Sequence, residues 1–208
     1  MHDGQNVFDD ATSFSGEWGV DEAIDTLGLK TKECIVVGID NGGYKRLDEY
    51  FPYDFLLEGG TYASRQIIGE GGKYVDFLVK TLKPFIDKKY RTLKDQKSTF
   101  TAGSSMGGLI SMYAVLKYPK VFGGAGVFSP AFWVGPKIFD DIKLTAGDFS
   151  INAETGLLPI IAGYRIAEVP VVWKERDHGK SKFAVIKVGP SYLKVFFGIL
   201  KSRMKKSK

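Results

Sequence analysis

Residues Thr101 to Tyr113 read TAGSSMGGLISMY. Within them, Gly103-Ser104-Ser105-Met106-Gly107 fits the pattern G-x-S-x-G. A β-rich run, STFTA at Ser98–Ala102, precedes it, and a helix-forming run, Met106–Lys117, follows it. A serine on such a sharp strand-to-helix turn needs small neighbours, because side chains at the flanking positions would strike adjacent backbone. The turn would expose the Ser105 hydroxyl at the C-terminal edge of a sheet. It would also place the Met106 N–H at a helix N-terminus, where it can donate to a developing oxyanion. The chemistry on offer is acyl transfer through a serine nucleophile. The plainer reading, a tight glycine turn around a buried serine, is the weaker one because strand and helix are both in place.

A serine hydroxyl needs a base to take its proton and a group to orient that base. The chain has two histidines, His2 and His178. The order nucleophile, acid, histidine is met by Ser105, then Asp148, Glu154 or Asp177, then His178. Asp177 is adjacent to His178, which makes a productive hydrogen bond between that pair geometrically poor. A solvated histidine in a basic loop is therefore the favoured reading of His178, and the catalytic base the sharper one. His2 falls in His2-Asp3-Gly4-Gln5-Asn6, where a substrate or turn role suits it better than general base. In that segment Gly4 allows close backbone approach and Gln5 could offer its N–H as a second oxyanion donor.

Other constellations are weaker. Asp9-Asp10 and Asp140-Asp141 are acidic pairs without further ligands at metal spacing, so capping and solvation explain them. Gly69–Gly72 (GEGG) lacks the strand and the Lys-Ser/Thr of a phosphate loop. Trp133 in SPAFW reads as packing, or as a wall of an acyl pocket. No metal or cofactor is expected.

The 208 residues suit one domain, or one with an appendage. The single cysteine, Cys34, excludes an internal disulfide and lies in ECIVVGID, which reads as a buried strand with an inert thiol. No leader pattern and no bilayer-spanning apolar run is evident, so the expectation is a cytoplasmic protein. The net charge of +5 is uneven: Trp173–Lys208 holds 11 Lys and Arg against 2 Asp and Glu, leaving 18 against 22 elsewhere. Overall basicity is therefore no argument for nucleic acid. The tail from Tyr192 places Leu193, Phe196, Phe197, Ile199 and Leu200 among five lysines and one arginine. It could touch anionic lipid peripherally, or form a terminal helix with a basic end.

Glu17–Leu29 and Tyr74–Tyr90 carry apolar residues at helical spacing, with Pro84 a kink point in the second. Cys34–Asp40 and Gly123–Phe128 read as strands, Lys45–Gly72 as a long surface loop, and Ile166–Trp173 as an edge or bulged strand because of Pro170. Strands alternating with helices predict an α/β fold with a mainly parallel sheet.

HDGQNVFDDATSFSGEWGVDEA, IVVGIDNGG, GGKYVDFLVKTLKPFIDKKYRTL, AGSSMGGLISMYA and YPKVFGGAGVFSPAFW together resemble the putative esterase family related to enterochelin esterases. The likeness runs over about Met1–Phe139 and implies an α/β-hydrolase whose nucleophile is Ser105. It implies an oxyanion hole from the HDGQ loop and Met106. The family's strands before HDGQ, and its later acid and histidine segments, are not recognisable here. Residues from about Lys143 to Lys208 instead resemble the C-terminal part of family-2 glycosyltransferases of the dolichol-phosphate-mannose-synthase type, with Arg176, Gly179, Ser181 and Lys182 as R-x-x-G-x-S-K. The expected organisation is thus an esterase-like domain at 1–142, lacking the usual first strands, joined to an atypical basic segment at 143–208. A bare strand edge would invite self-association.

The expected function is hydrolysis of a small carboxylic ester through an acyl-enzyme on Ser105. The alternatives are a catalytically impaired hybrid that binds a partner or membrane and, last, a glycosyltransferase fragment.

Overall fold

The computed structural model describes residues 1–14, 16–28, 33–57, 64–132 and 185–206. The chain divides into two compact units, Met1–Ala131 and Phe132–Lys208.

After α1 (Val20–Gly28), α2 (Arg46–Tyr50), β1 (Phe55–Leu57), β2 (Arg65–Ile67), α3 (Gly71–Phe77) and α4 (Lys83–Lys89), the first unit is built on β3 (Phe100–Ser104), α5 (Met106–Lys117) and β4 (Gly124–Phe128). Strands β3 and β4 are parallel, in the register Phe100↔Gly124 through Ser104↔Phe128. Small residues at Ala102, Gly124 and Gly126 let the two backbones lie together under α5, which packs on both strands. Leu109, Ile110 and Ala114 of α5 have no exposed surface and form the centre of the core with Val75 and Ile67.

Met1 and His2 extend this sheet. The His2 N–H donates to Ala102 O (2.9 Å), and His2 forms a parallel bridge with Ile39. Across the molecule the order is therefore Ile39, His2, Ala102, Gly126. The predicted strand at Cys34–Asp40 shrinks to that bridge, because its ladder is limited to bonds with Met1 and Gly4. Cys34 is exposed and Ile35 is 52 % exposed, so the expectation of a buried thiol is corrected.

Helix α1 (Val20–Gly28) matches the periodicity of its sequence. The predicted loop at 45–72 holds more structure than expected. It contains α2 (Arg46–Tyr50) and an antiparallel pair, β1 (Phe55–Leu57) with β2 (Arg65–Ile67). Asp48 fastens it: its carboxylate takes a hydrogen bond from Ile68 N–H (3.0 Å) and an ion pair from Arg65. The glycines of GEGG serve close approach, not phosphate. A Cβ on Gly69 would lie 2.4 Å from the Tyr53 carbonyl carbon, and one on Gly71 would lie 2.8 Å from that of Phe51.

Helices α3 (Gly71–Phe77) and α4 (Lys83–Lys89) are joined by a π-helical turn, Leu78–Leu82. Pro84 explains it. The ring has no N–H to donate and would strike the carbonyl one turn back, so the preceding turn widens. Asp76 ties α3 to α5 by accepting from Lys117 Nζ (2.7 Å) and Tyr118 O–H (2.6 Å). These bonds hold its carboxyl well below the usual carboxylate range.

In the second unit the described element is α6 (Val185–Lys206), with Pro190 inside it and Leu193, Phe196 and Phe197 exposed. Among the described residues no helix is long and apolar enough to cross a membrane.

The core assignment is testable by urea unfolding. Leu109→Ala should lose about 2–5 kcal/mol. Phe100→Ala, at a side chain 66 % exposed, should stay within about 0.5 kcal/mol of the parent.

Candidate active site

Ser105 sits between β3 and α5 at φ 56° and ψ −115°. This is a conformation L-residues avoid, costing on the order of 1–3 kcal/mol. Surrounding bonds hold it there: Ser105 N–H donates to Phe128 O (2.9 Å), and Ser105 O accepts from Leu109 N–H (3.1 Å) and Ala131 N–H (3.0 Å). Gly103 makes the turn possible. A Cβ on Gly103 would lie 2.6 Å from the Gly107 carbonyl carbon. Among the described residues, three non-glycine positions have positive φ, namely Asp3, Ser105 and Ser129. Asp3 and Ser105 line one cavity, and Ser129 follows the carbonyl that holds Ser105.

That cavity holds about 250 Å³, with Gly103, Ser104 and Ser105 on one side and His2, Asp3 and Asn6 on another. Val7, Phe14 and Trp18 give it an apolar wall, and Arg46 completes it. Ser105 is exposed, and among the described residues its hydroxyl has no hydrogen-bond partner. A small substrate could therefore approach it.

The segment facing the serine turn is fixed on several sides. Asp3 takes a left-handed conformation, φ 56° and ψ 54°. Its carboxylate is gripped by Arg46 through Nε (2.6 Å) and Nη2 (2.7 Å), and by Asn41 Nδ2 (2.7 Å). The Asp3 N–H donates to the Tyr50 hydroxyl (3.0 Å), and the Arg46 guanidinium lies 5.1 Å from the Tyr50 ring centre. Burial pushes the Tyr50 and Tyr74 phenols far above their ordinary range, so both are neutral. Gly4 crosses Ile39–Asp40 so closely that a Cβ would lie 2.7 Å from Ile39 N.

The four sequence-predicted residues fare differently. Ser105 lies at the cavity. Met106 is the first residue of α5 and is buried, so its N–H is one of the unsatisfied donors of a helix start. Gln5 is in the facing segment, but its side chain turns to Asn41, donating to the carbonyl (3.0 Å) and accepting from the N–H (3.2 Å). His178 lies outside the described residues, as do Trp133, Asp140, Asp141, Asp148, Glu154 and Asp177.

His2 is 3 % exposed and committed on both ring nitrogens: Nδ1 to the Tyr74 hydroxyl (2.8 Å) and Nε2 to Thr101 Oγ1 (3.0 Å). Burial, reinforced by the nearby terminal amine, pushes its pKa down to about 3. It is a neutral strut between β3 and α3 that also lines the cavity; of the substrate or turn role expected from sequence, the turn role is replaced by this one. The acidic pair Asp9-Asp10 holds backbone, with Asp9 Oδ1 accepting from Ala11 N–H (2.8 Å) and Asp10 Oδ1 from Glu17 N–H (3.4 Å). Among the described residues no group of three potential ligands could hold a metal. Sequence reasoning missed Arg46, whose partner Asp3 is 43 positions away.

A family model described as Putative esterase matches residues 1–184. The chain belongs to this family. The match runs through most of the segment likened to a glycosyltransferase, and these comparisons give that likeness no support. Among relatives, the protein named uncharacterized protein YbbA of Bacillus subtilis (strain 168) is 33 % identical over 101 residues. That alignment takes in 49 % of this chain and 39 % of the relative, so the chain spans well under half of YbbA's length. Among solved structures, the BES protein from Bacillus cereus aligns with a TM-score of 0.47 at 18 % identity, over 78 % of this chain and 55 % of that one. Family membership accords with the α/β arrangement of parallel strands and covering helices seen in the first unit.

Two outcomes follow. Gly103→Ala should destabilise the protein by about 3 kcal/mol or more, read as a lowered melting temperature, because the new methyl meets backbone that cannot swing aside. For His2 the sign follows from proton uptake. Between its ordinary value of 6.5 and about 3, the unfolded chain binds the proton and the folded chain does not. Its contribution is therefore full above about pH 6.5 and is lost as pH falls towards 3. Urea midpoints measured from pH 7 to pH 4 should fall more steeply for the parent than for His2→Leu.

Proposed function

We propose that this esterase-family protein hydrolyses a small carboxylic ester through an acyl-enzyme on Ser105. The observation that carries the reading is the conformation of Ser105, φ 56° and ψ −115°, on a turn between strand and helix. Strain of this kind persists only when its surroundings enforce it, and it concentrates where a reactive group must be presented.

In this reading the Ser105 hydroxyl attacks the ester carbonyl and its proton passes to a general base. The carbonyl oxygen becomes an oxyanion, which accepts hydrogen bonds from the Met106 N–H and the Gln5 N–H. The alcohol leaves with a proton from the base. Water then attacks the acyl-serine by the same steps in reverse and releases the acid. The base is assigned to His178, the histidine that follows Ser105 in the chain, because His2 already spends both ring nitrogens on Tyr74 and Thr101. The cavity of about 250 Å³, with its wall of Val7, Phe14 and Trp18, favours a short or flat acyl or alcohol group over a polymer.

The test is hydrolysis of p-nitrophenyl acetate and butyrate by the parent, Ser105→Ala and His178→Ala. Both variants should lose about three orders of magnitude or more in kcat. A Ser105→Ala protein as fast as the parent would sink the proposal. A His178→Ala protein as fast as the parent would remove His178 alone from it.

A further inference from the structure

We infer that Arg46 is a positioning residue for the Ser105 reaction: its two-pronged grip on Asp3 holds the Asp3–Gln5 backbone in register with the serine turn. The inference rests on the hydrolase reading above and assigns a part of the machinery that the sequence pattern does not mark.

Asp3 is held in a left-handed conformation. Its φ of 56° costs energy in any residue with a Cβ, and the segment following it is a single 3-10 turn, Gly4–Asn6, too short to hold itself. Aspartate tolerates this region, and contacts from elsewhere in the fold fix which conformation it keeps. Asp3 Oδ1 receives Arg46 Nε at 2.6 Å and Oδ2 receives Arg46 Nη2 at 2.7 Å, the parallel arrangement that fixes both distance and plane. Asn41 Nδ2 adds a third bond at 2.7 Å. The carboxylate so held lies beside the serine turn, since a Cβ on Gly107 would sit 3.4 Å from Asp3 Oδ2. Arg46, Asp3 and Ser105 all line the same cavity. A shift of the Asp3 carboxylate therefore moves the backbone assigned to the second oxyanion donor relative to the first. Arg46 also cancels the Asp3 charge where an oxyanion would form, and a lysine, with one point of attachment, cannot reproduce the fork.

The test is kinetic, on the full chain, with rates expressed per mole of folded protein. Arg46→Lys should lower kcat for p-nitrophenyl acetate about 10- to 100-fold while KM stays within about threefold, because misplacement by about an ångström is felt in the transition state and not in binding. Affinity for an alkylboronic acid, whose serine adduct mimics the tetrahedral oxyanion, should fall by the same factor as kcat/KM. A merely structural ion pair would lower the melting temperature and leave both quantities unchanged at 25 °C. If Arg46→Lys does not fold, Asp3→Asn decides: asparagine tolerates the same left-handed backbone, gives up one prong of the fork, and should lower kcat about three- to tenfold. If the variant that folds turns over at the parent's rate while Ser105→Ala is dead, the inference is overturned and the hydrolase reading stands. If Ser105→Ala is as active as the parent, both fall.

Discussion

The backbone contact between Gly103 and Gly107 governs the first unit. With no Cβ on Gly103 to strike the Gly107 backbone, β3 can end and α5 begin across a single residue, and that residue is Ser105. Everything nearby depends on this closeness. The Ser105 N–H finds Phe128 O because β4 runs parallel to β3 in the register Ser104↔Phe128. Ser105 O in turn binds Leu109 N–H and Ala131 N–H, so the first turn of α5 and the exit from β4 are anchored to the same residue. The strain at Ser105 is sustained by this packing, which is the physical sense in which the fold presents its serine.

A second structure faces the turn and is held by polar bonds. The interior between β3 and α3 carries a chain of uncharged groups, Thr101, His2, Tyr74 and Tyr50, that ends at the Asp3–Arg46 ion pair. Burial keeps His2 neutral and both phenols protonated. The Asp3 carboxylate is matched by a fork of guanidinium donors. Such an arrangement is costly to leave half-satisfied, and that gives it geometric authority over the segment it holds.

What the sequence made legible follows from how local each determinant is. The serine turn was readable because its requirements, small residues two positions either side, sit within five residues. Helix α5 came out with its bounds as expected, since strand ending and helix start are fixed by the same motif. The pairing of His2 with Ile39 and Ala102 was not readable, because two residues carry no periodicity. The β1–β2 pair was hidden because three-residue strands separated by polar, aromatic and glycine-rich sequence resemble a loop. Asp3 and Arg46 meet only through the fold. The glycosyltransferase likeness rested on DFSINAE, AGYRIAEVPVVWKERDHGKSKF and the basic-apolar stretch after them. The family match across residues 1–184 outweighs it.

The central claim is that Ser105, and not its neighbour Ser104, is the reactive group. Intact protein treated with a fluorophosphonate and digested, with the peptide containing TAGSSMGGLISMY sequenced by tandem mass spectrometry, tests it directly. The account predicts one phosphonyl group per chain, on Ser105. A label on Ser104, or a protein that takes up none while an active serine hydrolase beside it is labelled fully, would contradict it.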